Sequence, residues 1–155
     1  MVNRKSLFSI SHDHFHGLMV AQIIKKGSSV SKDLLNDIDD KVRYTIHFYD
    51  QELVNHFYIE EQILQPLVRG FSNEIDKLFD NLIDEHKLIG DLIKSLNDKT
   101  DLENKLDKVS AALERHIDQE ERVLFPKIQE TLSENELETL GKNLKKNGYE
   151  HIFKY

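Results

Sequence analysis

Apolar residues recur at alternating spacings of three and four along four long segments of the chain, as they do in helices that bury one face. Extended runs of period two are missing, and only two prolines and six glycines interrupt the sequence. The predicted helices span residues 6–26, a segment that ends at 66–69, residues 72–96, residues 100–130 and a short stretch from 133 to just before Gly148. Short loops favour antiparallel neighbours, so we predict an all-α, up-down-up-down four-helix bundle with a short additional C-terminal helix.

The helix boundaries have their own sequence signals. Glycines at positions 27 and 70 close the first two helices. The predicted N-terminal caps are Ser72 alone, Thr100 with Glu103, and Ser133 with Glu136, the last two as capping boxes. Residues 27–42 are open to two interpretations, a connection or an extension of the second helix.

Polar residues interrupt the apolar seam of each long helix near its middle. The interrupting residues are His14 on helix one, His56 and Glu60 on helix two, His86 on helix three, and His116 and Glu120 on helix four. From His56 to the end of helix two is ~20 Å, and the return along helix three to His86 is ~21 Å, so the two histidines reach the same level. The same count from His86 through the turn to His116 leaves these two residues within roughly 8 Å of the same level. We therefore expect all six side chains to converge on one layer of the core.

The same interruption is written twice in the chain. HFYIEEQILQP begins at His56 and HIDQEERVLFP begins at His116, and five of the eleven positions match. A histidine and a glutamate four residues apart lie on one helix face, so each repeat can offer two ligands to one cation. A single pair of this kind is usually a surface ion pair. The alternative to a metal site is therefore a metal-free helical module whose polar layer is held by hydrogen bonds. Two copies on core seams favour a metal site.

Helix one offers three candidate ligands. His14 shares the apolar seam of its helix, His12 is the second candidate and His16 the weakest. The neighbours Glu61 and Glu121 fall beside the seam, where they face solvent or support the ligands. We expect Glu52 to form a salt bridge at the rim, whereas His47 and His151 show no alignment with the layer.

Composition narrows the function further. The chain has 155 residues, most simply a single domain (1–155), with a net charge of −7 that argues against nucleic acid as a partner. It has no cysteine, which excludes disulfides, thiolate metal sites and iron–sulfur ligation by the chain itself. No signal peptide or membrane-spanning run is evident, so a cytoplasmic location without membrane contact is predicted.

The sequence resembles the hemerythrin family, specifically its HHE cation-binding domains. The matching motifs are DHFHGL at 13–18, HFYIEEQILQP at 56–66, DEHKLI at 84–89 and HIDQEERVLFP at 116–126. The resemblance covers residues 6 to about 130 and implies a non-heme di-iron centre in a four-helix bundle. By position, the terminal ligands would be His14, His56, His86 and His116, and the bridging carboxylates Glu60 and Glu120. The implied cofactor is two iron ions with an oxo or hydroxo bridge, and zinc or manganese could occupy the same ligands.

One position departs from the oxygen-carrying members of that family. They have a further histidine four residues after the ligand on helix three, where this chain has Gly90, and we expect Gly90 to leave space beside one iron. The ligand set is similar to that of iron-centre repair and iron-sensing members. The expected function is a di-iron protein that binds or senses O₂ or NO, or handles iron. The alternatives are an enzyme acting on peroxide or NO or in iron-centre repair, and a metal-free interaction module.

Overall fold

The computed structural model describes residues 4–27 and 37–146, with side chains from residue 6, and in this part of the chain it has five helices and no strand. The helices are α1 (Phe8–Ile24), α2 (38–68), α3 (Asn73–Lys94), α4 (102–131) and α5 (Glu134–Lys146). Short 3₁₀ turns at Arg4–Leu7 and Ser95–Asp98 precede α1 and follow α3. The predicted all-α class, with four long helices and a short fifth, is confirmed.

Helices α2 and α4 are interrupted by π turns. The first of these helices contains π turns at Tyr49–Leu53 and Glu60–Leu64, and the second contains one at Glu120–Leu124. Two of the three π turns therefore begin at the glutamates of the repeated motif, and π turns are frequent at functional sites. Each of these two π turns is followed by a proline in the next α-helical segment, Pro66 or Pro126. The wider turn lets the helix continue past a residue that lacks an N–H.

Two of the three predicted N-terminal caps are present in the structure. The Ser72 hydroxyl accepts a hydrogen bond from the Ile75 N–H (3.1 Å), as predicted for an N-cap. The predicted box at Ser133 is also confirmed, since its N–H donates to Glu136 Oε1 (2.8 Å) and its hydroxyl accepts from the Glu136 N–H (3.2 Å). Helix α2 begins at Ile38, so residues 38–42 of the segment 27–42 extend this helix. Residues 28–36 and Gly148 lie outside the described residues.

The predicted capping box at Thr100 is wrong. Helix α4 begins at Leu102, and the residue before it, Asp101, has a left-handed backbone (φ 50°). The Thr100 N–H and hydroxyl both donate to the Asp98 carboxylate, at 2.8 and 2.7 Å, so the threonine stabilises the preceding turn instead of the helix.

The core consists of two apolar clusters with a polar layer between them. One cluster contains Leu7, Phe79 and Leu124, and helix α5 covers it with Leu137, Leu140 and Leu144. The other cluster contains Val20, Phe48, Leu53, Ile89, Leu106 and Leu113. On every long helix the interrupting histidine lies between residues of the two clusters, so the layer is shielded from water along the bundle axis. No helix in the described part of the chain combines the length and the apolar character needed to cross a membrane.

Candidate metal centre

The six residues that interrupt the seams meet in one buried layer. We call them the polar layer: His14, His56, Glu60, His86, His116 and Glu120. Each is at most 5% exposed, and both glutamates are fully buried. Their ligand atoms form two adjacent groups in which all atoms lie within 4.8 Å of one another. Group one has His14 and His56, group two has His86 and His116, and both groups include the two glutamates.

Each glutamate spans the two groups. Glu60 Oε1 lies 2.5 Å from His56 Nε2 in group one, and its Oε2 lies 2.9 Å from His86 Nε2 in group two. Glu120 Oε1 lies 2.5 Å from His116 Nε2, and its Oε2 lies 3.3 Å from His14 Nε2. One oxygen of each carboxylate thus belongs to each group, which is the arrangement of a carboxylate that bridges two cations.

The polar layer lacks the hydrogen bonds that its burial demands. Both oxygens of Glu60 and of Glu120, and Nε2 of His14, His86 and His116, have no hydrogen-bond partner in the described structure. Leaving such atoms unsatisfied in a core costs on the order of 1–3 kcal/mol each, and more for charged groups. Two cations, each facing two imidazole nitrogens and two carboxylate oxygens, would satisfy every one of these atoms. The residues therefore fit a binuclear metal site.

A second set of carboxylates holds the outer nitrogens of the four histidines. The contacts from Nδ1 are His14 to Glu121 (2.6 Å), His56 to Asp13 (3.0 Å), His86 to Glu61 (3.0 Å) and His116 to Glu85 (2.7 Å). A neutral imidazole that donates its Nδ1–H to a carboxylate keeps the Nε2 lone pair directed inward. All four imidazoles are thereby oriented as ligands, although the four carboxylates are themselves partly exposed.

These outer carboxylates follow a simple rule in the sequence. Each lies next in sequence to a polar-layer residue but contacts a histidine of another helix. Asp13 on α1 contacts His56 on α2, and Glu61 on α2 contacts His86 on α3. Glu85 on α3 contacts His116 on α4, and Glu121 on α4 contacts His14 on α1. Adjacent helix positions point about 100° apart, which aims the neighbour at the next helix. Sequence reasoning left Glu61 and Glu121 open between two roles and missed Asp13 and Glu85. The Asp-His and Glu-His pairs at 13–14 and 85–86 were the available signal.

Oppositely charged neighbours shift the pKa of four polar-layer residues. Burial alone would lower the pKa of His14, but the charge of Glu120 beside Nε2 and the hydrogen bond with Glu121 outweigh it and raise this pKa to about 9. Burial is likewise outweighed at His56, chiefly by Glu60, and at His116, chiefly by Glu120, and the pKa of each rises to about 10. For Glu60, burial is outweighed by the charges of the adjacent His56 and His86, which hold its pKa well below the usual range. Protons and metal cations therefore compete for the same nitrogens.

The other candidate ligands lie away from the polar layer. His12 is exposed, with its ring 5.9 Å from that of Phe8 and 6.0 Å from that of Phe15. His16 is partly exposed and pairs with Glu52 (2.7 Å), which is the salt bridge predicted for that glutamate. Of the two remaining histidines, His47 is exposed and His151 lies outside the described residues.

A small cavity adjoins the polar layer. Its volume is about 30 Å³, and its lining includes His14, His56 and His116. The remaining wall is mostly apolar, with two carboxyl groups: Gly17, Phe48, Leu53, Phe57, Leu113, Ile117, Asp13 and Glu52. A cavity of this size holds one molecule about as large as water. A Cβ atom at Gly17 would lie 2.9 Å from Ile117 Cδ1, so the glycine lets α1 approach this wall closely.

The space expected beside Gly90 is filled. A Cβ atom at this buried position would lie 2.9 Å from the Tyr49 hydroxyl oxygen. Tyr49 is the first residue of a π turn in α2, a feature that apolar periodicity does not reveal. The expectation of open space at Gly90 was therefore wrong, and the cavity that borders three of the histidines lies on the side lined by α1, α2 and α4.

Comparison with known proteins agrees with this geometry. The model of the hemerythrin HHE cation-binding domain matches residues 11–128, a span that includes the whole polar layer and its outer carboxylates. No curated protein and no solved structure matches the chain.

Proposed function

Because the chain belongs to the hemerythrin HHE cation-binding domain family, we propose that it binds two iron ions in the polar layer and uses them to bind O₂ or NO. The observation that supports this most directly is the position of Glu60 and Glu120, each with one oxygen toward each histidine pair. Carboxylates placed in this way would be shared by two cations, as in other two-metal sites.

The donor set supports iron as the metal. Four imidazoles and two carboxylates form a set of nitrogen and oxygen ligands without any thiolate. Imidazole suits iron, zinc and copper, and carboxylate suits manganese and other hard cations, so a mixed set of both is well suited to iron. Zinc and manganese are the competing metals for the same residues, and the family relationship favours iron.

The cavity supports a small ligand. Each group supplies two nitrogens and two carboxylate oxygens, which leaves positions free around a six-coordinate cation. Iron bound there would supply these open positions together with one-electron redox chemistry. The cavity that borders three of the histidines has a volume of about 30 Å³, enough for a diatomic molecule but not for an organic substrate.

The protein itself controls access and orientation. Apolar side chains such as Phe48, Leu53 and Leu113 exclude bulk water from the cavity and favour a neutral ligand over an anion. The outer carboxylates hold the imidazoles in place, so that little reorganisation is needed when a ligand arrives or leaves.

A second candidate function is an enzyme that acts on peroxide or NO. The observation that favours it is the presence of Asp13 and Glu52 in the otherwise apolar wall, because carboxyl groups can hold a proton beside a reacting ligand. Asp13 contacts His56 Nδ1 and Glu52 contacts His16, and these contacts hold both carboxyl groups at the cavity wall. Turnover of peroxide or NO by the iron-loaded protein would favour the enzyme over a binding protein.

The cavity offers a direct test of the proposed function. Leu113→Phe places extra ring carbons in the cavity and leaves all six polar-layer residues unchanged, and Leu106→Phe in the same apolar cluster is the matched control. We expect both variants to bind iron and only Leu113→Phe to lose at least tenfold in NO affinity, measured optically on the reduced protein. Unchanged NO binding by Leu113→Phe at full iron content would contradict a ligand site in this cavity.

A further inference from the structure

The outward face of α1 exposes four large apolar side chains, more than that of any other long helix in the described part of the chain. Phe8 is 63% exposed, Phe15 72%, Met19 48% and Leu18 39%. The exposed ring of His12 lies between the rings of Phe8 and Phe15. We call these five residues the α1 stripe. Large exposed apolar residues that adjoin one another on one helix face are typical of a binding surface, whereas isolated ones are not.

The α1 stripe has the spacing of a helix-pairing seam. Positions 8, 12, 15 and 19 follow one another at intervals of four, three and four, which is the pattern of the contact positions in two-stranded coiled coils. The opposite face of α1 is buried in the bundle through Ile10, His14, Gly17, Ala21 and Ile24. A helix that is apolar on two opposite faces normally packs on both of them.

The charge distribution limits what can bind there. Helix α1 contains no Lys, Arg or Glu, and its single Asp13 pairs with His56 at 3.0 Å, although 32% of the chain is charged. By contrast, the exposed side of α3 presents charged residues such as Lys77, Asp84 and Lys87. A surface without cations is a poor match for an anionic membrane, which attracts basic amphipathic helices. Two copies of this uncharged face can meet without the repulsion expected between chains of net charge −7.

We propose that the α1 stripe binds the α1 stripe of a second copy of this chain, so that the protein forms a two-fold symmetric dimer. The exposed apolar area of Phe8, Phe15, Leu18 and Met19 is roughly 400 Å² per copy, estimated from the area of large side chains. Two copies with their polar margins would bury roughly 1,000 Å², at the lower end of specific interfaces. The dimer should therefore depend on concentration in the micromolar range.

Dimerisation would act on the helix that supplies part of the metal site. The inner face of α1 provides His14 to the polar layer and Asp13 to the outer carboxylates. A partner helix on the outer face would hold α1 against the bundle without touching the site.

Sedimentation velocity of the full chain from 5 to 200 μM tests the proposal. The wild type should shift with concentration toward twice the chain mass of 18.2 kDa. Phe15→Glu should weaken the dimer at least tenfold, because a two-fold axis near the centre of the stripe places two carboxylates together. Leu88→Glu is the matched control, since Leu88 is 43% exposed on α3 outside the stripe, and it should dimerise like the wild type. Equal helicity of both variants verifies folding.

Cross-linking supplies a second measurement that does not rely on a charged substitution. The chain has no cysteine, so Phe15→Cys introduces a single thiol, and mild oxidation should link two copies through it. The same treatment of Leu88→Cys should leave monomers. A wild type that stays monomeric at 200 μM, or a dimer unaffected by Phe15→Glu, would overturn the proposal. Flotation of a monomeric wild type with lipid vesicles would assign the stripe to a membrane and would equally overturn it.

Discussion

The carboxylate of Glu121 offers a graded test of how the protein holds its metal. Glu121 Oε1 lies 2.6 Å from His14 Nδ1 and accepts a hydrogen bond from the Ser11 hydroxyl at 2.6 Å. Its side chain is 35% exposed and belongs to neither metal group, so a substitution changes the support of His14 and leaves all six proposed ligands in place. Glu121→Gln keeps the size of the side chain and removes only its charge.

The expected magnitude follows from this one contact. A hydrogen bond to a charged acceptor contributes about 1.5–3 kcal/mol, and a neutral one about 0.5–1.5 kcal/mol. The substitution should therefore cost about 1–2 kcal/mol, which is roughly 5- to 30-fold in metal affinity and overlaps the roughly 10- to 100-fold range of residues that support metal ligands. Because His14 belongs to group one alone, only one of the two irons should be weakened.

The assay is the release of iron to a strong chelator, followed optically. Release is preferable to uptake because Glu121 also stabilises the protonated form of His14, which competes with the metal. Wild type should release its two irons with similar rates, whereas Glu121→Gln should show a fast phase of half the amplitude. Glu130→Gln removes an exposed carboxylate of the same helix and serves as control. Identical release by Glu121→Gln and wild type would refute the reasoning that this contact holds His14 in position.

Three further predictions follow from the described contacts. The protonated forms of the three histidines with a raised pKa stabilise the metal-free fold. This contribution is fully present below pH 6.5 and is lost as the pH rises through 9 to 10. The melting temperature of chelator-treated protein should therefore fall between pH 7 and 10 more than that of iron-loaded protein. Gly90→His should destabilise the fold by about 1–3 kcal/mol in urea unfolding without adding a ligand, because Tyr49 occupies the space, and an added Tyr49→Ala should recover part of the loss. Ser72→Ala should cost about 1 kcal/mol in the same assay, with an unchanged iron content, because it removes only a helix cap.

Apolar periodicity was sufficient to predict the bundle. The seams of three and four fix which face of each helix is buried, and counting residues along two antiparallel helices places His56 and His86 at one level. The convergence of the six polar residues follows from the same arithmetic, because a polar residue in an otherwise apolar seam must enter the core. Those features follow from the apolar spacing and length of each helix and from the antiparallel order of the helices.

Features that depend on contacts between helices could not be predicted in this way. The pairing of Asp13 with His56 and of Glu85 with His116 requires knowledge of which helices are neighbours and how they are rotated.

Local departures from regular helix geometry were also missed. The π turns have no signature in apolar spacing, and one of them begins at Tyr49, which occupies the space beside Gly90. The capping box at Thr100 failed because a local interaction with Asp98 replaces the cap.

The central claim is that two irons share the carboxylates of Glu60 and Glu120, and elemental analysis of Glu60→Ala beside the wild type tests it most directly. After reconstitution with ferrous iron and removal of excess metal, the wild type should contain two irons per chain, one for each group. Because Glu60 belongs to both groups, Glu60→Ala should lose both irons, whereas His14→Ala should retain one. A wild type with one iron or fewer per chain, or a Glu60→Ala variant that keeps two, would contradict the account.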